Sequence, residues 1–101
     1  MPFTSASRVV VSDEQVFTTL GEEAVILGLR DGVYYGLDAV GARVWALIAE
    51  PRVVGDIVTT LVAEFDVTPE RCERDVLALL DDLAARDLVT ELPLAGDADP
   101  S

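Results

Sequence analysis

Polar and apolar positions change rhythm once along this chain. Up to residue 37 they come as short runs rich in Val, Thr and aromatic residues, broken by polar residues and glycine. From residue 39 onward they recur at three- and four-residue spacing. The first rhythm predicts strands over 8–11 and 15–20, with Ser12, Asp13 and Glu14 as a polar turn between them. Gly21 breaks the second run, and 22–29 reads as a third strand. Asp31-Gly32 then signals a two-residue hairpin turn of the type that needs positive φ at both central positions. A fourth strand follows over 33–37. Such a turn sets Leu29 opposite Tyr34, Gly28 opposite Tyr35 and Ile26 opposite Leu37. Val33, Tyr35 and Leu37 then share one face, and Tyr34 and Gly36 the other. Both faces are partly apolar, and a one-residue slip would exchange them, so the pattern leaves open which one is outer.

The second rhythm predicts three helices. Asp38 is placed to cap the first with its carboxylate. Val40, Val44, Leu47 and Ile48 form its buried stripe with Trp45 beside it, and Pro51 ends it. The second runs over 53–65 with Ile57, Val58, Leu61, Val62 and Phe65 inward. Val53 gives its start no side-chain acceptor. Thr68, Pro69 and Glu70 make a well-formed start for the third: a cap, a residue suited to the first turn, and an acid at the positive end of the dipole. Cys72, Val76, Leu79, Leu80 and Leu83 form its inward stripe, and Leu88 and Val89 fold back onto the core. Strands followed by helices give an α+β domain: a small antiparallel sheet of three or four strands, then a three-helix bundle. The short link at Asp66-Val67 between the last two helices fits a winged helix-turn-helix arrangement. One domain over 1–92 is expected at this length. Residues 93–101, polar and small, read as a disordered tail.

Composition then removes most chemistry. There is no histidine, and Cys72 is the one cysteine. That excludes a structural zinc site, a His-based catalytic triad and an intrachain disulfide. Cys72 reads as a small buried apolar residue. The acids, such as Glu22-Glu23, Asp81-Asp82 and the group Glu70, Glu73 and Asp75, lie among arginines at helical spacing. Arg71 with Asp75 and Asp82 with Arg86 are i,i+4 pairs, so a solvated ion-pair face is expected rather than paired catalytic carboxylates. Gly28, Gly32 and Gly36 lie in strands and a turn, away from any helix start, and do not form a phosphate loop. The reading is a non-enzyme with no cofactor and no metal. The formal net charge is −12, with seven arginines and no lysine. Such a chain repels phosphate backbones, which weighs against nucleic acid and anionic membranes as partners. In the third helix Arg71, Arg74 and Arg86 are outnumbered by Glu70, Glu73, Asp75, Asp81 and Asp82. A winged-helix DNA-binding regulator would need the opposite balance. The N-terminus lacks a signal-peptide pattern and no apolar run approaches the ~20 residues of a membrane span, so a cytoplasmic location is expected.

Binding remains. The 33–37 strand carries no charge and no proline, which is poor protection for a sheet edge. Either the chain itself covers it, or it accepts another polypeptide as an added strand.

The run Val33-Tyr34-Tyr35-Gly36-Leu37-Asp38, followed by Gly41-Ala42 and Val44-Trp45, resembles the signature of PqqD-like proteins. Val54, Ile57-Val58, Leu61, Phe65-Asp66-Val67, Asp75-Val76, Leu80, Leu83 and Leu88-Val89 extend the similarity over about residues 7–91. The resemblance implies a recognition element for ribosomally made and modified peptides. Its partner is the leader segment of a precursor peptide, bound as an added strand in the groove beside the third helix. A stand-alone chain of this size looks most like the version in lasso-peptide biosynthesis, which presents the precursor to a transglutaminase-like leader peptidase. A chaperone for a radical SAM peptide-modifying enzyme is the alternative. Carried over residue by residue, the strand role falls on Val33, Tyr34, Tyr35, Gly36 and Leu37. On the helix it falls on Arg74, Leu77, Ala78, Asp81 and Ala84. The chain departs from the pattern at Asp38, where Asn is usual, at Val53, where Ser or Thr caps, and at Asp87, where Gly often ends the helix.

Overall fold

The computed structural model describes residues 3–13 and 15–92. The tail expected at 93–101 and Glu14 of the expected turn lie outside them. Strands β1 (Arg8–Val11), β2 (Gln15–Leu20), β3 (Glu23–Gly28) and β4 (Tyr34–Leu37) come first, then α1 (Ala39–Leu47), the two-residue β5 (Arg52–Val53), α2 (Val54–Glu64), α3 (Pro69–Ala85) and β6 (Val89–Leu92). The domain is α+β, with all strand pairs antiparallel.

The strands divide into two sheets, in the orders β5-β1-β6 and β2-β3-β4. β1 therefore leaves the hairpin and pairs with a strand from the far end of the chain, Arg8 opposite Leu92 and Val11 opposite Val89. Sequence pattern supplied β1 to β4 but missed β5 and β6. Each is short, and its pairing depends on a partner more than 40 residues away. The Val53 N–H end of α2 lacks a side-chain cap, as its sequence implied, and Asp56 in the first turn complements the dipole.

The β3–β4 register differs from the sequence expectation by two residues. Ala24 faces Leu37, Ile26 faces Tyr35 and Leu27 faces Tyr34. A two-residue turn would need positive φ at both Asp31 and Gly32, and only Gly32 has it, at 69°. Asp31 instead accepts the Val33 N–H on its carboxylate at 3.0 Å. The Gly28 N–H reaches the Val33 carbonyl at 3.0 Å, and the Gly32 N–H the Gly28 carbonyl at 2.9 Å. The loop thus takes residues 29–32. A shift of two leaves the faces unchanged, so Tyr35 and Leu37 still oppose Tyr34 and Gly36.

One core draws on nearly every element. Val9, Ile26, Val44, Ile48, Val54, Ile57, Leu61, Leu80 and Leu83 are fully buried. The inner face of β2-β3-β4 lies over α1, where Phe17 meets Trp45 edge-to-face at a centroid distance of 6.0 Å. α1 starts at Asp38, whose carboxylate accepts the Gly41 N–H at 2.8 Å. α3 starts at Thr68, whose hydroxyl accepts from Arg71.

α3 ends in a Schellman motif without glycine. The Leu88 N–H bonds to the Leu83 carbonyl, and the Asp87 N–H to the Ala84 carbonyl. Asp87 is the residue turned to positive φ, at 60°. Its carboxylate meets Arg30 of the hairpin loop at 3.2 Å, with both side chains exposed. An exposed pair contributes less than the left-handed backbone costs a residue with a Cβ. Asp87→Gly is therefore expected to raise the unfolding free energy by roughly 0.5–1 kcal/mol, read as a rise of a few degrees in Tm.

Candidate functional site

β4 sits at the edge of its sheet. In an antiparallel ladder alternate residues turn their N–H and C=O groups toward the neighbour. The Gly28 N–H to Val33 carbonyl bond fixes that alternation. Tyr35 and Leu37 bond to β3, so the N–H and C=O of Tyr34 and Gly36 point to the open side. Among the described residues no strand pairs with that side.

Beside this edge runs a groove of about 510 Å³. Tyr35, Gly36 and Leu37 form one wall, and Cys72, Asp75, Val76 and Leu79 of α3 the other. Val40 and Val44 of α1, Leu61 of α2, and Phe65 and Val67 of the link to α3 form its floor. Asp38 lines the groove where β4 passes into α1. The helix capped by Asp38 thereby fixes both the direction of β4 and the groove floor. Burial of the Cys72 thiol raises its pKa, with the Asp75 charge acting in the same sense. That keeps the thiol protonated and marks it as wall, not nucleophile.

Across the groove Tyr35 reaches α3. Its hydroxyl donates to the Asp82 carboxylate at 2.8 Å, and the Arg86 guanidinium lies over its ring, 5.0 Å from the centroid. Partial burial raises the Tyr35 pKa above its ordinary 10.0; the hydrogen bond to Asp82 and its charge add to this, and Arg86 opposes it. The protonated phenol is the favoured form in the fold. Its contribution is intact below the ordinary value and is lost as pH rises through the raised folded value. In a Tyr34→Phe background, phenolate absorbance should titrate above the value of free tyrosine, and Asp82→Asn should bring that midpoint down.

Of the residues singled out from sequence, Tyr35, Gly36 and Leu37 line the groove. Tyr34 contributes its backbone to the open edge while its ring stands on the opposite face, 69% exposed. Val33 lies just before β4, its carbonyl accepting the Gly28 N–H. None of Arg74, Leu77, Ala78, Asp81 or Ala84 lines the groove. Leu77 and Ala84 are half-buried against the core, while Arg74, Ala78 and Asp81 are exposed. These five fall on the side of α3 turned away from the groove stripe. The stripe turned to β4 is Asp75, Leu79, Asp82 and Arg86, at spacings of four, three and four residues. The sequence signal for it was Leu79, an apolar residue at the margin of the buried stripe. The meeting of Asp82 and Arg86 over Tyr35 had no local signal, since 47 residues separate Tyr35 from Asp82.

A hairpin with one open edge, set beside an apolar groove and over a helix bundle, is the build of a winged-helix-like recognition domain. The chain belongs to the PqqD family: residues 23–89 match the family described as coenzyme PQQ synthesis protein D. A solved structure, TbiB1 in complex with the TbiA(beta) leader peptide, is 39% identical, with a TM-score of 0.73 over 89% of this chain and 99% of that one. A second, lasso peptide synthetase B1 complexed with the leader peptide, is 24% identical, with a TM-score of 0.71 over 84% and 98%, and shares the fold. No curated protein matches the chain.

Proposed function

We propose that this protein binds the leader segment of a ribosomally made precursor peptide as a strand added to β4, and presents it to a leader peptidase of lasso-peptide biosynthesis. The observation that carries the reading is the open edge at Tyr34 and Gly36 beside the apolar groove. The family and the similarity to TbiB1, solved with a leader peptide, support it. The protein does no bond chemistry in this reading. It orders a flexible leader, with apolar anchors in the groove offsetting the ordering cost, and raises the local concentration of the attached peptide at the enzyme. Among the described residues no helix is long and apolar enough to cross a membrane. A ribosomal precursor is met in the cytoplasm, which is where we place the protein.

The outer face of β2-β3-β4 supports the presenting role. Val16, Leu20 and Tyr34 are 52%, 61% and 69% exposed there, beside half-buried Val25 and Leu27. A contiguous exposed apolar face marks an interaction surface. A strand added to β4 would extend this face with its own outward side chains, so that an enzyme docking on it meets protein and guest together. Leu20→Glu is expected to leave leader affinity within about twofold and to slow leader removal about tenfold or more in a reconstituted peptidase reaction.

Calorimetric titration with synthetic leader peptides of lasso-peptide precursors tests the binding step, with hydrogen exchange as a second readout. Saturable binding with new protection at the Tyr34 and Gly36 amides is expected. No binding at high peptide concentration would sink the reading. Activity with a neighbouring radical SAM enzyme, and none with a peptidase, would move the presenting role to that enzyme.

A further inference from the structure

The charged side chains that line the groove are both acids, Asp38 and Asp75, set on opposite walls of an otherwise apolar channel. Among the described residues neither has a cation closer than 4.0 Å. Asp38 spends one carboxylate oxygen on the Gly41 N–H, a bond that leaves its charge in place. Asp75 has Arg71 at 4.0 Å, with both side chains more than two-thirds exposed, a pair of little strength. Farther along, Asp82 is engaged by Tyr35, and Arg86 is laid over the Tyr35 ring. Two carboxylates therefore line the groove together with Val40, Val44 and Phe65.

We infer that the groove selects a peptide strand in which a lysine or arginine stands two positions from the apolar anchor, on the same face, the cation meeting Asp38 and Asp75 while the anchor fills the floor. The inference rests on the leader-binding reading and adds to it the chemistry of the guest. Alternation along an added strand supports it. A guest residue facing the groove meets Leu37 and the floor, and the next side chain on that same face, two positions along, reaches the rim where the carboxylates stand. An acidic or neutral residue there would leave both carboxylates without a partner and add a like charge in the first case, so the acids act against wrong guests as well as for right ones.

The test uses a displayed library of random 15-residue peptides selected on the intact protein. The same selection is run on Asp38→Asn/Asp75→Asn and, as a control for overall charge, on Asp81→Asn, which lies off the groove. Asn caps a helix about as well as Asp, so the double variant keeps α1. Lys or Arg two positions from an apolar residue should be enriched by the parent and by Asp81→Asn, and not by the double variant. A selected peptide should lose affinity about 3–10-fold in the double variant. Its Lys→Gln version should bind both proteins alike. Equal cation enrichment by parent and double variant, no cation enrichment by either, or loss of enrichment by Asp81→Asn alone would overturn the inference while leaving strand addition standing. A library that yields no binder to the parent would overturn strand addition and this inference together.

Discussion

Gly36→Pro should leave the protein folded and remove its peptide binding. Gly36 turns its N–H to the open side of β4, so proline there breaks no bond to β3. A Cβ built at Gly36 meets nothing within 4 Å, and proline is tolerated on a sheet edge when its missing N–H faces outward. The same change deletes one of the two N–H groups offered to a guest strand and puts a ring in its path. An unmade backbone bond plus steric exclusion is expected to cost about 2–3 kcal/mol of binding, or roughly 30–150-fold in Kd. Circular dichroism and a near-parental Tm would establish the fold, and calorimetry the loss. A folded Gly36→Pro protein with parental affinity would place the peptide elsewhere on the surface.

Leu80→Ala should cost the protein a large share of its stability. Leu80 is fully buried, on the helix that also supplies Leu79, Val76 and Asp75 to the groove wall. Truncating a buried leucine removes transfer energy and leaves a cavity, at about 3–4 kcal/mol. A domain of this length has roughly 5–15 kcal/mol in hand. Urea unfolding should show a midpoint lower by about 2–3 M with an unchanged slope. Leader affinity should fall less than stability, because the side chain lost faces the core and not the groove.

How much of this was legible beforehand differs by kind of feature. β1 and β2 stand at the residues where Val, Phe and Thr cluster, and Asp38 and Thr68 cap the helices their positions implied. These are local effects, decided within one turn or one run. The β3–β4 register was not legible from Asp31-Gly32. The dipeptide allows a tight turn, while the carboxylate of Asp31 can also close a wider loop on Val33. Which wins depends on how Ile26 and Tyr35 pack, a matter of the core. Likewise the second sheet needed β1 to find β6, and the groove needed α3 to be set at one rotation against β4. An error of one helical face moved the expected contacts to Arg74, Leu77, Ala78, Asp81 and Ala84. A stripe can be read from spacing, but its neighbour across space cannot. The strand half of the site was legible because an uncharged edge strand is visible as a run of residues.

The pairing of β1 with β6 has a practical corollary. Arg8 and Leu92 stand opposite each other, so the first strand and the last lie side by side. Neither strand lines the groove. The two ends can therefore be spliced to other polypeptides, or to each other through a short linker with fresh termini opened at the exposed Glu50 and Pro51. In either form the docking edge is untouched, which makes the domain a portable adaptor for delivering a tagged peptide to an enzyme of choice.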